Sequence, residues 1–181
     1  MKVLVGFEYS GIVREAFTLR GHDAMSCDLK PTEKLGKHYQ GDFFDIAYDG
    51  WDLIIAHPPC TFLAVSGNRW YAGTQQRDDA VKYVEKIWDI PVGKLCIENP
   101  VGVLSTQSKL PKPQYIQPWQ FGHGETKKTG LWLRGLPPLQ PTHIVSGREQ
   151  RIFKMAPSES RSAERSRTYS GIAEAMADQW G

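Results

Sequence analysis

The sequence predicts an α/β fold with a doubly wound, mostly parallel sheet, and three observations carry that reading. Strand-like segments at Lys2–Phe7, His22–Asp28, Trp51–Ala56 and Lys94–Glu98 alternate with helical patterns over the first hundred residues. Two of these segments, around Val3-Leu4-Val5 and Leu53-Ile54-Ile55, are continuously apolar, as strands covered on both faces are. The length, 181 residues with 40% hydrophobic and 23% charged, suits a single domain, 1–181, around one sizeable core.

The elements follow in order. Lys2–Phe7 reads as the first buried strand. Gly11 opens a helix that places Ile12, Val13, Ala16, Phe17 and Leu19 on one face, with Gly21 as its C-cap. His22–Asp28 is a second strand ending in an acid, Pro31–Gln40 a polar loop, and Gly41–Asp45 a short edge or strand end. Trp51–Ala56 is the next strand, and Thr61–Thr74, with Gly67 and Gly73, a mobile loop. Gln75–Ile90 gives the clearest helical pattern. Ala80, Val81, Val84, Ile87 and Trp88 line one side, and Asp78 and Asp79 favour the amino-terminal dipole.

Lys94–Glu98 follows as a strand. Beyond residue 100 the pattern loosens, with seven of the 12 prolines between Pro100 and Pro141. Gly130–Leu133 reads as a strand. Ser158–Arg167 is a polar Ser/Arg segment, either disordered or a binding loop. Ile172, Ala175, Met176 and Trp180 mark a last short helix.

Composition excludes several classes. No apolar run approaches the length of a membrane span, and no secretory signal precedes the first strand. Cys27, Cys60 and Cys96 are odd in number and widely spaced, with no C-x-x-C pair, which argues against a zinc site or a disulfide framework. A reducing cytoplasm is the default compartment. The net charge of +2 is unevenly spread. Residues 101–181 hold eleven basic and six acidic groups, while residues 1–60 hold six and nine. The basic half reads as a polyanion footprint or as a solvated face.

The chemistry concentrates at strand ends, where open α/β sheets bind ligands. His57-Pro58-Pro59-Cys60 follows one apolar strand, and the two prolines stiffen the turn that presents the thiol. Glu98-Asn99-Pro100 ends the next, so a nucleophile and a carboxylic acid meet on adjacent strand ends. Phe7-Glu8-Tyr9-Ser10-Gly11 forms a turn whose backbone N–H groups would face a ligand near a helix start, although a G-x-G-x-x-G cradle is absent. Asp28, about 20 residues further on, stands where such folds hydrogen-bond a ribose. Asp42 closes a third segment, suited to an adenine amino group. Cys27 and Cys96 fall inside apolar strands and read as core.

In this order, Phe7/Gly11, Asp28, Asp42, Pro59-Cys60, Glu98-Asn99 and Gly171 before an apolar helix, the sequence resembles the cytosine-C5 DNA methyltransferases. The resemblance implies a Rossmann-like class I S-adenosylmethionine-dependent methyltransferase fold. It implies S-adenosylmethionine as cofactor, held by Phe7, Tyr9, Ser10, Gly11, Asp28, Asp42, Pro59 and Gly171. It assigns Cys60 as the nucleophile on cytosine C6 and Glu98 as its helper at N3. It places Asn99, Lys127, Lys128, Arg165 and Arg167 toward the DNA. The family's Gln-x-Arg-x-Arg segment has no clear match, and either lysine of Glu125-Thr126-Lys127-Lys128-Thr129 stands in roughly that place.

A short loop-rich segment at about residues 140–168 occupies the interval of the family's target-recognition domain. Either specificity is then short and relaxed, or a protein partner, a second copy of this chain or a single-stranded target supplies access, or the substrate is smaller. Compact chains of this kind are often phage-encoded, which would place the protein in a host cytoplasm. Two alternatives stand beside this reading. His57-Pro58-Pro59-Cys60 also resembles the Asn/Asp-Pro-Pro-aromatic loop of amino-methyltransferases. A non-catalytic binder of cofactor and nucleic acid, derived from a methyltransferase, would carry the same landmarks.

Overall fold

The computed structural model describes residues 1–154 and 164–181. Seven strands form one sheet, β1 (Lys2–Gly6), β2 (Asp23–Asp28), β3 (His38–Gln40), β4 (Leu53–Ala56), β5 (Lys94–Pro100), β6 (Gln114–Ile116) and β7 (Thr129–Arg134), in the spatial order β3-β2-β1-β4-β5-β7-β6. The pairs from β3 through β5 are parallel, while β7 runs antiparallel to both β5 and β6. The strand order reverses between β1 and β4, so a crevice opens at the carboxyl ends of these two strands.

Side-chain alternation divides the core into two layers. Val3 and Val5 of β1 and Ile55 of β4 face one side, where α1 (Ile12–Leu19) and the last helix, Ser170–Trp180, supply Val13, Phe17, Ile172, Met176 and Trp180. Leu4 and Ile54 face the other side, against Val81, Val84 and Ile87 of Gln75–Trp88. Full burial of each such aliphatic side chain is worth about 1.5–3 kcal/mol. The two layers clamp the central strands and fix the height at which their ends emerge. The shorter helices are α2 (Asn68–Tyr71), α4 (Leu104–Gln107) and α5 (Arg151–Lys154). In chain order Gln75–Trp88 is therefore α3 and Ser170–Trp180 is α6.

Several sequence expectations need correction. Pro31–Gln40 is not all loop, because His38–Gln40 pairs with Ser26–Asp28 as the edge strand β3. Its polar side chains are those of an edge strand, which buries little. Gly41–Asp45 is accordingly no strand end: Asp42 caps a helical turn over Phe43–Asp45, its Oδ1 accepting from the Phe44 amide at 2.8 Å. Thr61–Thr74 holds two helical turns, Val65–Gly67 and α2. Leu19 is exposed, and Arg14 is the side chain buried in its stead. The Arg14 guanidinium donates to Ser26 Oγ at 3.0 Å and to the Lys34 and Leu35 carbonyls at 2.9 Å, which ties the Pro31–Lys37 loop to α1. Strand β6 carries no alternation long enough to be read. Of the polar segment Ser158–Arg167, residues 158–163 lie outside the described residues, and Glu164–Ser166 form a helical turn. Among the described residues no helix is long and apolar enough to cross a membrane.

Candidate active site

Register brings the chemistry together. Gly6 of β1 pairs with Ala56 of β4, and Ala56 pairs with Ile97 of β5. One residue further along both strands, His57 and Glu98 stand side by side. His57 Nδ1 and Glu98 Oε2 are 2.5 Å apart, with both side chains largely buried, 9% and 14% exposed. The His57 amide donates to the Gly6 carbonyl at 3.0 Å, so the histidine still belongs to the sheet. The chain then leaves through Pro58 and Pro59. Asn99, fully buried, donates its side-chain amide to the Pro58 carbonyl at 2.9 Å. Cys60 opens the next turn, its carbonyl accepting from the Leu63 and Ala64 amides at 3.0 Å. The Cys60 side chain is partly exposed, while Cys27 and Cys96 are buried in the core layers.

These strand ends border one cavity of about 1190 Å³. Phe7, Tyr9, Asp28, Asp42, Phe43 and Pro59 are among its lining, as are His57, Cys60, Thr61, Trp70, Tyr71 and Arg165. Phe7 and Phe43 pack with ring centroids 4.8 Å apart and form an aromatic wall. The segment around Arg165 is tied across the opening by Tyr9 and Ser166, whose hydroxyls are 3.2 Å apart, and by the Arg167–Glu33 ion pair at 2.6 Å.

The electrostatics sort the titratable groups. Burial pushes the Glu98 carboxyl up, but the charge and hydrogen bond of His57, joined by Lys127 and the Thr168 hydroxyl, hold it below its ordinary value. Burial pulls the His57 imidazole down; the hydrogen bond and charge of Glu98, with Glu8 behind, outweigh that and raise it, against Lys127. The contact therefore favours the imidazolium–carboxylate form of the pair over the neutral one. Burial also raises the Cys60 thiol, with Glu98 adding to the rise while Arg165 and Lys127 oppose it. A nearby cation does not carry Cys60 below its ordinary value, so the resting nucleophile is a thiol.

The sequence-derived residues divide into those the structure gathers and those it does not. Cys60, Phe7, Tyr9, Asp28, Asp42, Pro59 and Arg165 all line the cavity, and Lys127 faces the Glu98–His57 pair. Ser10, Gly11 and Gly171 do not line it. Gly11 stands at φ 70° as the N-cap of α1, a backbone role that favours glycine. Gly171 packs against the Phe121 carbonyl so closely that an added Cβ would lie 2.0 Å from it. Ser10 is buried and hydrogen-bonded to Glu8. Asn99 is spent on Pro58, Lys128 stacks 4.5 Å over the ring of Tyr115 on edge strand β6, and Arg167 is paired with Glu33 and Glu164.

The sequence reading missed Glu8. Its buried carboxylate accepts from the Val13 amide at 2.6 Å and the Arg14 amide at 3.2 Å. These amides belong to the first turn of α1, just beyond the Phe7–Gly11 turn, so an internal acid takes the place of an anion at this helix start. An acid a few residues before a helix start was the available signal.

With this geometry in hand, the chain can be set beside solved structures. An E. coli protein, assigned as a DNA modification methyltransferase encoded within a prophage, superposes with a TM-score of 0.54 at 13% identity, over 87% of this chain and 55% of its own. The chain has the Rossmann-like class I methyltransferase fold. The Dnmt2 methyltransferase of S. pombe also matches, with a TM-score of 0.46 and 17% identity over 85% of this chain and 54% of its own. The chain thus spans about half the length of the structures it matches. No protein-family model and no curated protein matches it.

The buried pair has a measurable signature. The unfolded chain releases both groups to their ordinary values, 4.5 for the carboxyl and 6.5 for the imidazole. The lowered Glu98 adds stability above the first value that is lost as pH falls; the raised His57 adds stability below the second that is lost as pH rises. Glu98→Gln should cost about 3 kcal/mol. In thermal melts the gap to the wild type should be widest between pH 4.5 and 6.5 and shrink on either side.

Proposed function

We propose that the protein is an S-adenosylmethionine-dependent methyltransferase that acts on cytosine C5 in DNA through a covalent adduct with Cys60. One observation carries the reading: a cysteine and a carboxylate-held imidazole, delivered by neighbouring strand ends, border the same cavity as the strand-end acid Asp28 and the turn-capping acid Asp42. The residues present fit an adenosyl cofactor beside Asp28. Asp28 stands at the carboxyl end of β2 for a ribose, Phe7 and Phe43 offer aromatic faces, and Asp42 lies beside them. When bound, S-adenosylmethionine supplies an electrophilic methyl group on a sulfonium.

The protein's own residues then do the following. Cys60 loses its proton and attacks C6 of the base, which makes C5 nucleophilic. Glu98, through the charge it holds at this site, favours a proton at N3 and so disperses the charge of the adduct. Pro58 and Pro59, anchored by Asn99, keep the sulfur in one place relative to the sheet. Arg165 and Lys127 lend positive potential to the thiolate. A base in duplex DNA has to leave the stack to reach this depth. The short segment at about residues 140–168 leaves target recognition to a second protein or a second copy of the chain. The amino-methyltransferase alternative finds less support, since His57 Nδ1 is committed to Glu98 and residue 60 offers no ring for stacking on a base.

DNA containing 5-fluorocytosine, mixed with the protein and S-adenosylmethionine, should yield a complex that survives denaturing electrophoresis. Cys60→Ser should abolish it and lower methyl transfer by at least about 1000-fold. No adduct on DNA or RNA, or a product methylated on an exocyclic amine, would rule out the C5 route. Calorimetry tests the cofactor end separately. Asp28→Ala should weaken S-adenosylmethionine binding by about 10- to 100-fold, the worth of a charged hydrogen bond.

A further inference from the structure

Residues 164–168 form a strap beside the cavity, and their contacts fall into two sets. One set anchors the strap. Arg167 Nη2 meets Glu33 at 2.6 Å, Arg167 Nη1 meets Glu164 at 2.9 Å, and the Ser166 and Tyr9 hydroxyls lie 3.2 Å apart. Glu164 also meets Arg151, and Arg151 meets Glu125, so five alternating charges run from Glu33 to Glu125. The far anchor is itself held. The Glu33 amide donates to the Tyr9 carbonyl at 2.8 Å, and the Arg14 guanidinium grips the Lys34 and Leu35 carbonyls just beyond. The other set serves the reactive groups. Thr168 hydrogen-bonds the Glu98 carboxylate, and Lys127 Nζ donates to the Arg167 carbonyl at 3.2 Å. Arg165 lines the cavity within electrostatic reach of Cys60. Among the described residues Arg165 makes no ion pair, whereas Arg167 makes two. A cation held beside a cysteine without a carboxylate of its own favours the thiolate.

We infer that Arg167 is a positioning residue of this site: clasped to Glu33, it seats the strap and so keeps Arg165 beside the Cys60 sulfur. This rests on the reading of Cys60 as the nucleophile and names what holds its cation in place. The two strap arginines divide the work, Arg165 serving the sulfur and Arg167 the anchor. An isolated exposed ion pair is worth only about 0–1 kcal/mol, and the pair gains from membership of a network with backbone-held ends. It has only to choose between two placements of a five-residue strap, not to stabilise the fold. The charges that act on Cys60 are Arg165 on the strap, Glu98 on β5 with His57 paired to it, and Lys127 ahead of β7. Burial raises the thiol; Arg165 opposes that rise, Glu98 adds to it, and Lys127 opposes it too. With the strap released, Arg165 leaves this set and the thiol ionises at higher pH.

Alkylation of Cys60 by iodoacetamide across a pH series, read by peptide mass spectrometry on the protein alone, gives the midpoint of its ionisation. Cys27 and Cys96 are buried, and peptide mapping separates them from Cys60. Arg165→Gln should raise the midpoint by about half a unit or more, the effect of one charge a few ångströms away through water. Glu33→Gln decides the clasp, because its two possible effects have opposite signs. Removing a carboxylate acts through space to lower the midpoint of a thiol; releasing Arg167, and with it Arg165, raises it. The midpoint should rise, and in the double variant Glu33→Gln/Arg165→Gln it should rise no further than in Arg165→Gln alone. The Glu33 side chain is 41% exposed, so its substitution leaves the core intact. A midpoint unmoved or lowered in Glu33→Gln, or two rises that add in the double variant, would overturn the clasp. A clasp that passes both tests in a wild type that forms no adduct with 5-fluorocytosine DNA would instead overturn the reading of Cys60 as the nucleophile.

Discussion

The contact on which the rest of this site depends is the buried ion pair between His57 and Glu98. It exists because β4 and β5 are parallel neighbours in a fixed register, so that the residues just past Ala56 and Ile97 emerge at the same height. Parallel strands clamped between α1 and α6 on one face and α3 on the other have no freedom to slip. The pair then fixes what lies around it. The imidazole is held charged and oriented, the Pro58-Pro59 turn is pinned by Asn99, and Cys60 is delivered to the cavity from a rigid support.

Two carboxylates in this fold do opposite jobs with the same physics. Glu98 meets the His57 ring, with Lys127 and the Thr168 hydroxyl in support, and its carboxyl is held below its ordinary value in spite of burial. Glu8 is buried more deeply and serves the backbone, accepting from the Val13 and Arg14 amides of α1 and a serine hydroxyl. The helix start therefore has its acid built in, and the cavity beyond depends on side chains such as Asp28, Asp42 and Phe43 rather than on a glycine-rich loop of free amides.

The central sheet was legible in the sequence because its strands are short apolar runs between turn residues. Val3–Val5 and Leu53–Ile55 can be little else. Strands β3 and β6 were not legible, since three-residue edge strands with mixed polarity carry no period to read. Cys60 and Glu98 were legible as strand-end residues of reactive type. Their relation was not, because register decides it, and register set His57 against the acid. Ser10, Gly11 and Gly171 had the right neighbours in sequence but serve packing and backbone geometry. Arg14 defeated the pattern outright, as a charged residue on the buried face of a helix, its guanidinium satisfied by the Ser26 hydroxyl and by carbonyls of the Pro31–Lys37 loop.

The charge state of one ring is thus the centre of the account, and nitrogen-15 NMR of the histidine side chains reads it directly. His57 should show both ring nitrogens protonated at pH 7 and a titration midpoint above the ordinary 6.5, and Glu98→Gln should bring that midpoint down. A neutral His57 at pH 7, with a midpoint below 6.5 that ignores the loss of the carboxylate, would contradict it.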